Sequence, residues 1–107
     1  MDRELLKGSI ALLILTLLSE REMYGYEIIQ EAARRSRDAF QFKEGTLYPA
    51  LHALEQRGLL RSEWRVAESG RERKYYGLTP AGRRAAQSSS KDWHTFVAAV
   101  NAVLTNP

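Results

Sequence analysis

The chain has 107 residues, of which 44% are hydrophobic and 27% are charged, and its formal net charge is +3. This is the length of a single domain with a modest core, and the composition excludes both a disordered chain and a membrane protein. The absence of cysteine excludes disulfide bonds and thiolate metal sites and leads us to expect a cytoplasmic protein.

The first two predicted elements are helices. Over residues 3–19 apolar residues recur at helical spacing, on a face wide enough to predict contact with more than one neighbour. The apolar run Ile10–Leu18 is much shorter than the roughly 20 residues that span a bilayer, so no membrane association is expected. Residues 24–36 place isoleucines and alanines on one face and charged residues on the other, which predicts the second helix.

The third predicted helix begins near Gly45 or Thr46 and ends before Gly58. Thr46 is an acceptable N-cap, Pro49 would then lie in the first turn, and Gly58 suits the left-handed position after a helix. The opposite sides of this helix differ in character, because one is apolar and the other is small or polar. The predicted buried row is Leu47, Leu51 and Leu54.

Two strands follow the third helix. Residues 60–66 alternate with period two, residues 73–78 contain an aromatic pair, and the polar residues 67–72 have the length of a hairpin loop. The two strands are therefore predicted to be antiparallel. Tyr75 and Tyr76 point to opposite faces of a strand, so we expect one of them to pack in the core.

The last predicted helix runs from Pro80 to about Leu104, because Thr79 supplies an N-cap and Pro80 fits the first helical position. The three serines at 88–90 lower helix propensity and leave a bend or a split open. Its apolar row is too large for the edge of a small domain, so a second copy of the chain is the simplest cover, with packing inside one chain as the alternative. The predicted dimer or ligand interface comprises Leu5, Leu6, Trp93, Phe96, Val97, Val100 and Leu104.

The order helix, helix, helix, hairpin, helix is that of a winged helix-turn-helix. We therefore predict a mainly α (α+β) fold with three helices, a two-stranded antiparallel wing and a C-terminal dimerisation helix. The winged helix domain is assigned to residues 1–79 and the dimerisation helix to residues 80–107.

The basic excess of the chain is local. Residues 61–84 contain seven basic and three acidic residues, which favours contact with a polyanion, although a solvated basic surface is the alternative. The outward face of the third helix carries small and hydrogen-bonding residues suited to a DNA major groove, but no arginine for strong guanine readout. The candidate DNA-binding residues are Lys43, Thr46, Tyr48, Pro49, His52, Gln56, Arg71, Arg73 and Lys74.

Three segments give a more specific indication. Met23–Ile28 (MYGYEI), Glu44–Leu51 (EGTLYPAL) and Gly70–Thr79 (GRERKYYGLT) resemble the PadR family of transcriptional regulators in order and spacing. This resemblance implies a homodimeric, usually repressing, DNA-binding protein. It also implies that Trp93, near a two-fold axis, could hold a flat aromatic ligand, with dimer packing alone as the other interpretation.

The functional prediction is a sequence-specific DNA-binding regulator of transcription. We expect a homodimeric repressor that binds double-stranded DNA at a palindromic operator and that a small-molecule effector modulates. An enzyme is not expected, because His52 and His94 are isolated and no metal-ligand spacing, cofactor motif or catalytic residue is present. The main alternative is a winged-helix protein-interaction module without specific DNA binding.

Overall fold

The computed structural model describes residues 2–105, so Met1 and residues 106–107 of the two predicted domains lie outside the described residues. The elements in chain order are α1 (Arg3–Leu18), β1 (Met23–Tyr24), α2 (Gly25–Arg35), α3 (Glu44–Gln56), β2 (Leu60–Val66), β3 (Glu72–Leu78) and α4 (Pro80–Thr105). The predicted mainly helical α+β fold is confirmed. No helix within residues 2–105 is long and apolar enough to cross a membrane.

The sheet has a third strand that the sequence analysis did not predict. Its strand order is β1-β3-β2, and β1 pairs antiparallel with β3 through Met23 opposite Tyr76 and Tyr24 opposite Tyr75. A strand of two residues is too short to show a period-two pattern, and its partner lies about fifty residues away in the chain. The central β3 therefore joins the wing, formed by β2 and β3, to the start of α2.

The predicted starts of α2 and α3 need correction. Tyr24 belongs to β1, and α2 begins at Gly25. Helix α3 begins at Glu44, so Thr46 is the third helical residue and not the N-cap, a position that Lys43 occupies. Pro49 consequently lies in the second turn, where it cannot donate to the carbonyl of the residue four positions earlier. The helix tolerates this proline because that carbonyl belongs to an exposed residue.

The end of α3 is tied to the start of α4. Gly58 has φ +75, as predicted for the position after a helix, and the Leu59 N–H donates to the Leu54 carbonyl at 3.0 Å. The Thr79 hydroxyl donates to the Gly58 carbonyl at 2.7 Å and accepts from the Gly82 N–H at 3.0 Å. Thr79 therefore caps α4, as predicted, and holds it against the end of α3.

The core is formed by one face of each helix and by the inner face of the sheet. The predicted row on α3 is confirmed, because Leu47, Leu51 and Leu54 are all buried. Tyr76 is buried and Tyr75 is half-buried, which confirms that one tyrosine of the pair packs inside. The largest fully buried side chains are Ile14, Met23, Ile28, Leu47 and Leu51.

Helix α4 is continuous from Pro80 to Thr105, so the serines at 88–90 do not split it into two helices. Only Gly82 and Ala86 of this helix are buried, and its second half is largely exposed. The described chain is correspondingly elongated, with a longest extent of 59 Å. The first half of α4 belongs to the core, whereas the second half extends away from it.

Candidate nucleic-acid interface

The outward face of α3 is open to solvent along its whole length. Burial of the leucine row fixes the rotation of the helix, because residues three and four apart share one face. The predicted residues Thr46, Tyr48, Pro49, His52 and Gln56 are all exposed. Lys43, at the N-cap of the same helix, is exposed as well. The structure thus brings the six helix-borne candidates together on one surface.

Tyr48 links this surface to α2. Its ring lies against Gly25, where an added β-carbon would be 2.3 Å from the Tyr48 hydroxyl oxygen. The side chain nevertheless remains 43% exposed, so one side of the ring packs and the other faces solvent. Only a glycine at the first position of α2 permits this approach.

The wing is a regular hairpin with a five-residue connection. The Ala67 N–H donates to the Arg71 carbonyl at 2.8 Å, and the Gly70 N–H donates to the Ala67 carbonyl at 2.8 Å. Gly70 has φ +83, a conformation that favours glycine. The loop therefore ends one residue earlier than predicted, and Arg71 lies at its exposed tip.

Arg73 and Lys74, the two candidate cations on β3, point to its opposite faces, whereas Arg71 lies in the loop. Successive side chains of a strand point to opposite faces, and the buried Tyr76 marks the inner face, which is turned toward α3. Lys74 shares this face and lies opposite Trp64. Arg73 lies on the outer face, where its guanidinium carbon is 4.2 Å from the centre of the Tyr24 ring. Arg73 and Lys74 therefore have different surroundings, although they are adjacent in the sequence.

A groove of about 610 Å³ separates the wing from the N-terminal ends of α2 and α3. Seven of its eleven residues were not among the predicted site residues, and two of these, Tyr26 and Trp64, are aromatic side chains that are 57% and 66% exposed. Period-two alternation in β2 does not show which face is covered, so the exposure of Trp64 follows only from the packing of the sheet. The groove is lined by Tyr24, Gly25, Tyr26, Glu44, Tyr48, Trp64, Arg71, Glu72, Arg73, Lys74 and Tyr76.

The candidate cations differ from the arginines of β2 and α2 in their pairing. Within residues 2–105, Lys43, Arg71, Arg73 and Lys74 form no ion pair. Since paired charges are largely neutralised, these four residues keep their full positive charge for contact with a polyanion.

Arginines elsewhere on the sheet and on α2 are paired with glutamates. Glu22 accepts from Arg61 at 3.2 Å and from Arg65 at 2.6 Å. Partial burial of Glu22 raises the pKa of its carboxyl. The two arginines outweigh this effect, so the pKa lies below its ordinary value. The carboxylate therefore stays charged, and it neutralises cations of the outer face.

The predicted dimer or ligand residues lie on an uncovered apolar surface. Leu5, Trp93, Phe96, Val100 and Leu104 are exposed, and Leu6 and Val97 are half-buried. The Trp93 and Phe96 rings lie 6.0 Å apart. On α4 a shallow depression of about 350 Å³ has a wholly apolar lining that includes Phe96, Val100 and Leu104. In the single chain nothing within residues 2–105 covers this surface.

Neither a metal cluster nor a shared histidine site is found among the described residues. Within residues 2–105 no group of three or more His, Asp or Glu side chains could hold a metal ion. His52 lies on the exposed face of α3 and His94 on the exposed part of α4. The two histidines are therefore on different elements and share no site.

Comparison with known proteins identifies relatives of the chain. Residues 14–88, which contain all three motif segments, match the family described as the transcriptional regulator PadR-like family. Over 83 residues the chain is 45% identical to the transcriptional regulator Rv3488 of Mycobacterium tuberculosis, and the alignment covers 78% of this chain and 74% of that protein.

Solved structures agree with this match. The crystal structure of a PadR family transcriptional regulator from Eggerthella lenta has a TM-score of 0.84 at 34% identity, covering 97% of this chain and 88% of that one. A transcriptional regulator from Clostridium thermocellum has a TM-score of 0.85 at 29% identity, covering 95% and 96%. The predicted winged-helix fold and the family resemblance are both confirmed.

Proposed function

We propose, because this chain belongs to the PadR-like family of transcriptional regulators, that it binds a palindromic operator as a homodimer and represses transcription. A transcriptional regulator is not an enzyme, and the chain acts by binding. The observation that carries the proposal is the location of three cations without ion pairs in the described residues, Lys43 at the N-cap of α3 and Arg71 and Lys74 along the groove beside it.

The face of α3 suits entry into the major groove. Its residues are small or carry hydrogen-bonding groups, which permits close approach and contact with base edges. Thr46, His52 and Gln56 supply those groups, and Pro49 supplies a slim apolar surface. The helix lacks an arginine at these positions, so we expect operator recognition to depend on several moderate contacts rather than on one bidentate guanine contact.

The groove between α3 and the wing suits one sugar-phosphate backbone of the same duplex. Lys74 lines the inner wall and Arg71 the tip, so both cations can approach phosphates. Tyr26 and Tyr48 offer rings to sugars and hydroxyl groups to phosphates. Each phosphate that a cation neutralises releases condensed counterions, and binding should therefore weaken steeply as salt rises.

The apolar surface of α1 and α4 supports the dimer part of the proposal. The exposed residues Trp93, Phe96 and Val100 form one side of α4, and Leu5 extends the surface onto α1. A monomer rarely leaves so long an apolar row in water. A two-fold dimer through these helices would set two α3 helices roughly 34–36 Å apart, which matches half-sites one turn of DNA apart.

An aromatic effector is proposed for the same interface. Trp93 and Phe96 are 43% and 52% exposed, and paired rings across a two-fold axis can enclose a flat ligand. Ligand binding there would change the spacing of the two α3 helices and hence the operator affinity. Quenching of Trp93 fluorescence tests this step, with Trp64→Phe used to remove the other indole signal. Unchanged operator affinity across aromatic ligands that quench Trp93 would contradict it.

The test of the main proposal is a mobility shift with DNA from the upstream region of its own gene, at two salt concentrations. We expect a sequence-selective shift that weakens with salt and in the variant Arg71→Gln/Lys74→Gln. Arg83→Gln/Arg84→Gln is a matched control, because it removes two charges from exposed positions of α4, outside the groove. Absence of any selective shift would favour the protein-interaction module instead.

A further inference from the structure

On the outer face of the sheet, a series of stacked side chains joins the wing to the helix-turn-helix. The Arg73 guanidinium carbon lies 4.2 Å from the centre of the Tyr24 ring. The Tyr24 and Tyr75 rings meet edge to face with centres 5.4 Å apart, and the Arg65 guanidinium carbon lies 4.7 Å from the centre of Tyr75. We call Arg73, Tyr24, Tyr75 and Arg65 the outer ladder.

Backbone pairing explains why these side chains meet. Tyr24 of β1 and Tyr75 of β3 are direct partners, as are Arg73 of β3 and Arg65 of β2. Two arginines directly opposite each other would repel. Each guanidinium instead has a compensating partner: Arg65 pairs with Glu22 and Glu63, and Arg73 lies over the electron-rich face of Tyr24. These partners offset the repulsion between Arg65 and Arg73, so both arginines take part in favourable contacts.

Tyr24 connects the ladder to α2. It is the N-cap residue of that helix, and its N–H donates to the Glu27 carboxylate at 3.2 Å. The wing, in contrast, is attached to the domain mainly through β3. The contact between Arg73 and Tyr24 is therefore a direct side-chain link from the wing to the first residue before the helix-turn-helix.

We infer that Arg73 is a positioning residue, which holds the wing at the angle that DNA binding requires, whereas Lys74 and Arg71 contact phosphate. This inference rests on the proposed function. Lys74 projects from the opposite face of β3, which it shares with Tyr76 and where it lies opposite Trp64, and its ammonium nitrogen is 5.6 Å from the Tyr76 ring centre. At that distance, close to the roughly 6 Å limit of a cation–π contact, the ammonium group is held less closely than the Arg73 guanidinium.

The salt dependence of binding distinguishes the two roles. Log Kobs falls as log salt rises. Removing a phosphate contact makes this negative slope shallower by about one unit, hence by about two in a dimer. Removing a residue that only positions the wing lowers the affinity but leaves the slope unchanged, because the number of neutralised phosphates is the same. The measurement is the operator affinity of the full chain at four or five salt concentrations.

We expect Arg73→Gln to lower operator affinity by about 2- to 5-fold without changing the slope, because the loss cannot exceed the strength of the contact that holds the wing. Lys74→Gln, a matched loss of one charge at the next position, should make the negative slope shallower. Tyr24→Leu should have the same effect as Arg73→Gln, and Tyr24→Phe, which keeps the ring, should bind like the unmodified chain. A reduced slope in Arg73→Gln equal to that in Lys74→Gln would overturn the inference.

A second measurement needs no DNA. In a double-mutant cycle of Tyr24→Leu and Arg73→Gln, the outer ladder predicts a coupling of about 2- to 5-fold in the unfolding equilibrium constant, the usual strength of an exposed cation–π contact. Additive effects would contradict the positioning role even if the chain bound no operator. Failure of the unmodified chain to bind any DNA selectively, with the coupling present, would instead contradict the proposed function.

Discussion

Gly25 and Tyr48 are in direct contact across the junction of α2 and α3, and a β-carbon at Gly25 would lie 2.3 Å from the Tyr48 hydroxyl oxygen and 2.7 Å from the ring carbon that bears it. The contact involves the far end of a side chain, which can rotate outward. Tyr48 is also on the candidate DNA-binding face. The conformation of a residue on α3 therefore depends on the absence of a side chain on α2.

Gly25→Ala is expected to displace the Tyr48 ring. Because the ring can move toward solvent, the free energy of unfolding should fall by only about 1 kcal/mol, the low end for overpacking. Operator affinity should fall more clearly, since the displaced ring would enter the groove. Urea denaturation and mobility shift measure the two effects. If the steric account is correct, Gly25→Ala/Tyr48→Ala will be no less stable than Tyr48→Ala alone.

Gly82 should tolerate no side chain at all. A β-carbon there would lie 1.9 Å from the Leu59 carbonyl oxygen, which is backbone and cannot rotate away. We expect Gly82→Ala to lower the free energy of unfolding by about 2–3 kcal/mol, despite the higher helix propensity of alanine.

Gly8 is the matched control for that substitution. It also lies inside a helix, but an added β-carbon meets nothing within 4 Å. Gly8→Ala should therefore raise the free energy of unfolding by up to about 1 kcal/mol. Equal effects of the two substitutions in thermal unfolding would contradict the close approach of α4 to Leu59.

The connection between α2 and α3 contains two consecutive residues with positive φ, Arg37 at 53° and Asp38 at 67°. Side chains disfavour this conformation by about 1–2 kcal/mol, a penalty that glycine does not have. Asp38→Gly should accordingly raise the free energy of unfolding by about 1 kcal/mol. Ala39→Gly, at a neighbouring exposed position without positive φ, should lower it. Destabilisation by both glycines would show that Asp38 is not strained.

The hydrogen bonds of Glu31 on α2 predict that the free energy of unfolding depends on pH in the acidic range. Hydrogen bonds from Arg34 and then from Arg35 lower the pKa of its carboxyl to about 2. Because the pKa in the folded state is below the ordinary value of 4.5, the carboxylate stabilises the fold fully above that value. The stabilisation is lost as pH falls from about 4.5 toward 2. The loss in that window should be smaller in Glu31→Gln.

Urea denaturation at pH 7 and at pH 3 measures this difference. Glu68→Gln serves as the control, because Glu68 is exposed and forms no ion pair within the described range 2–105. Its substitution should leave the pH dependence of unfolding unchanged. An unchanged pH dependence in Glu31→Gln would mean that the cluster with Arg34 and Arg35 does not stabilise the folded state.

The apolar side of α4 gives a prediction about assembly. Val100→Lys places a charge in the middle of the proposed interface and should convert a dimer into monomers in sedimentation experiments. Ala102→Lys places the same charge on the opposite side of the helix and should leave the dimer intact. Monomers of the unmodified chain at micromolar concentration would contradict the proposed dimer.

Much of the fold follows from local signals in the sequence. The spacing of Leu47, Leu51 and Leu54 fixed which side of α3 is buried, because side chains three and four apart must share a face. Gly58 and Thr79 marked the end of one helix and the start of another through backbone geometry and capping. These signals depend on neighbours a few residues away, and they can be interpreted without knowing the tertiary structure.

What only the tertiary structure decided depends on residues far apart in the chain. Strand β1 exists because Tyr24 pairs with Tyr75, and two residues alone have no stability as a strand. The same pairing places Tyr24 beneath Arg73, whereas Lys74 faces the groove that contains Trp64 and Tyr48. The sequence identified the cations of the wing. Their separate surroundings were decided by contacts that form only when distant segments pack together.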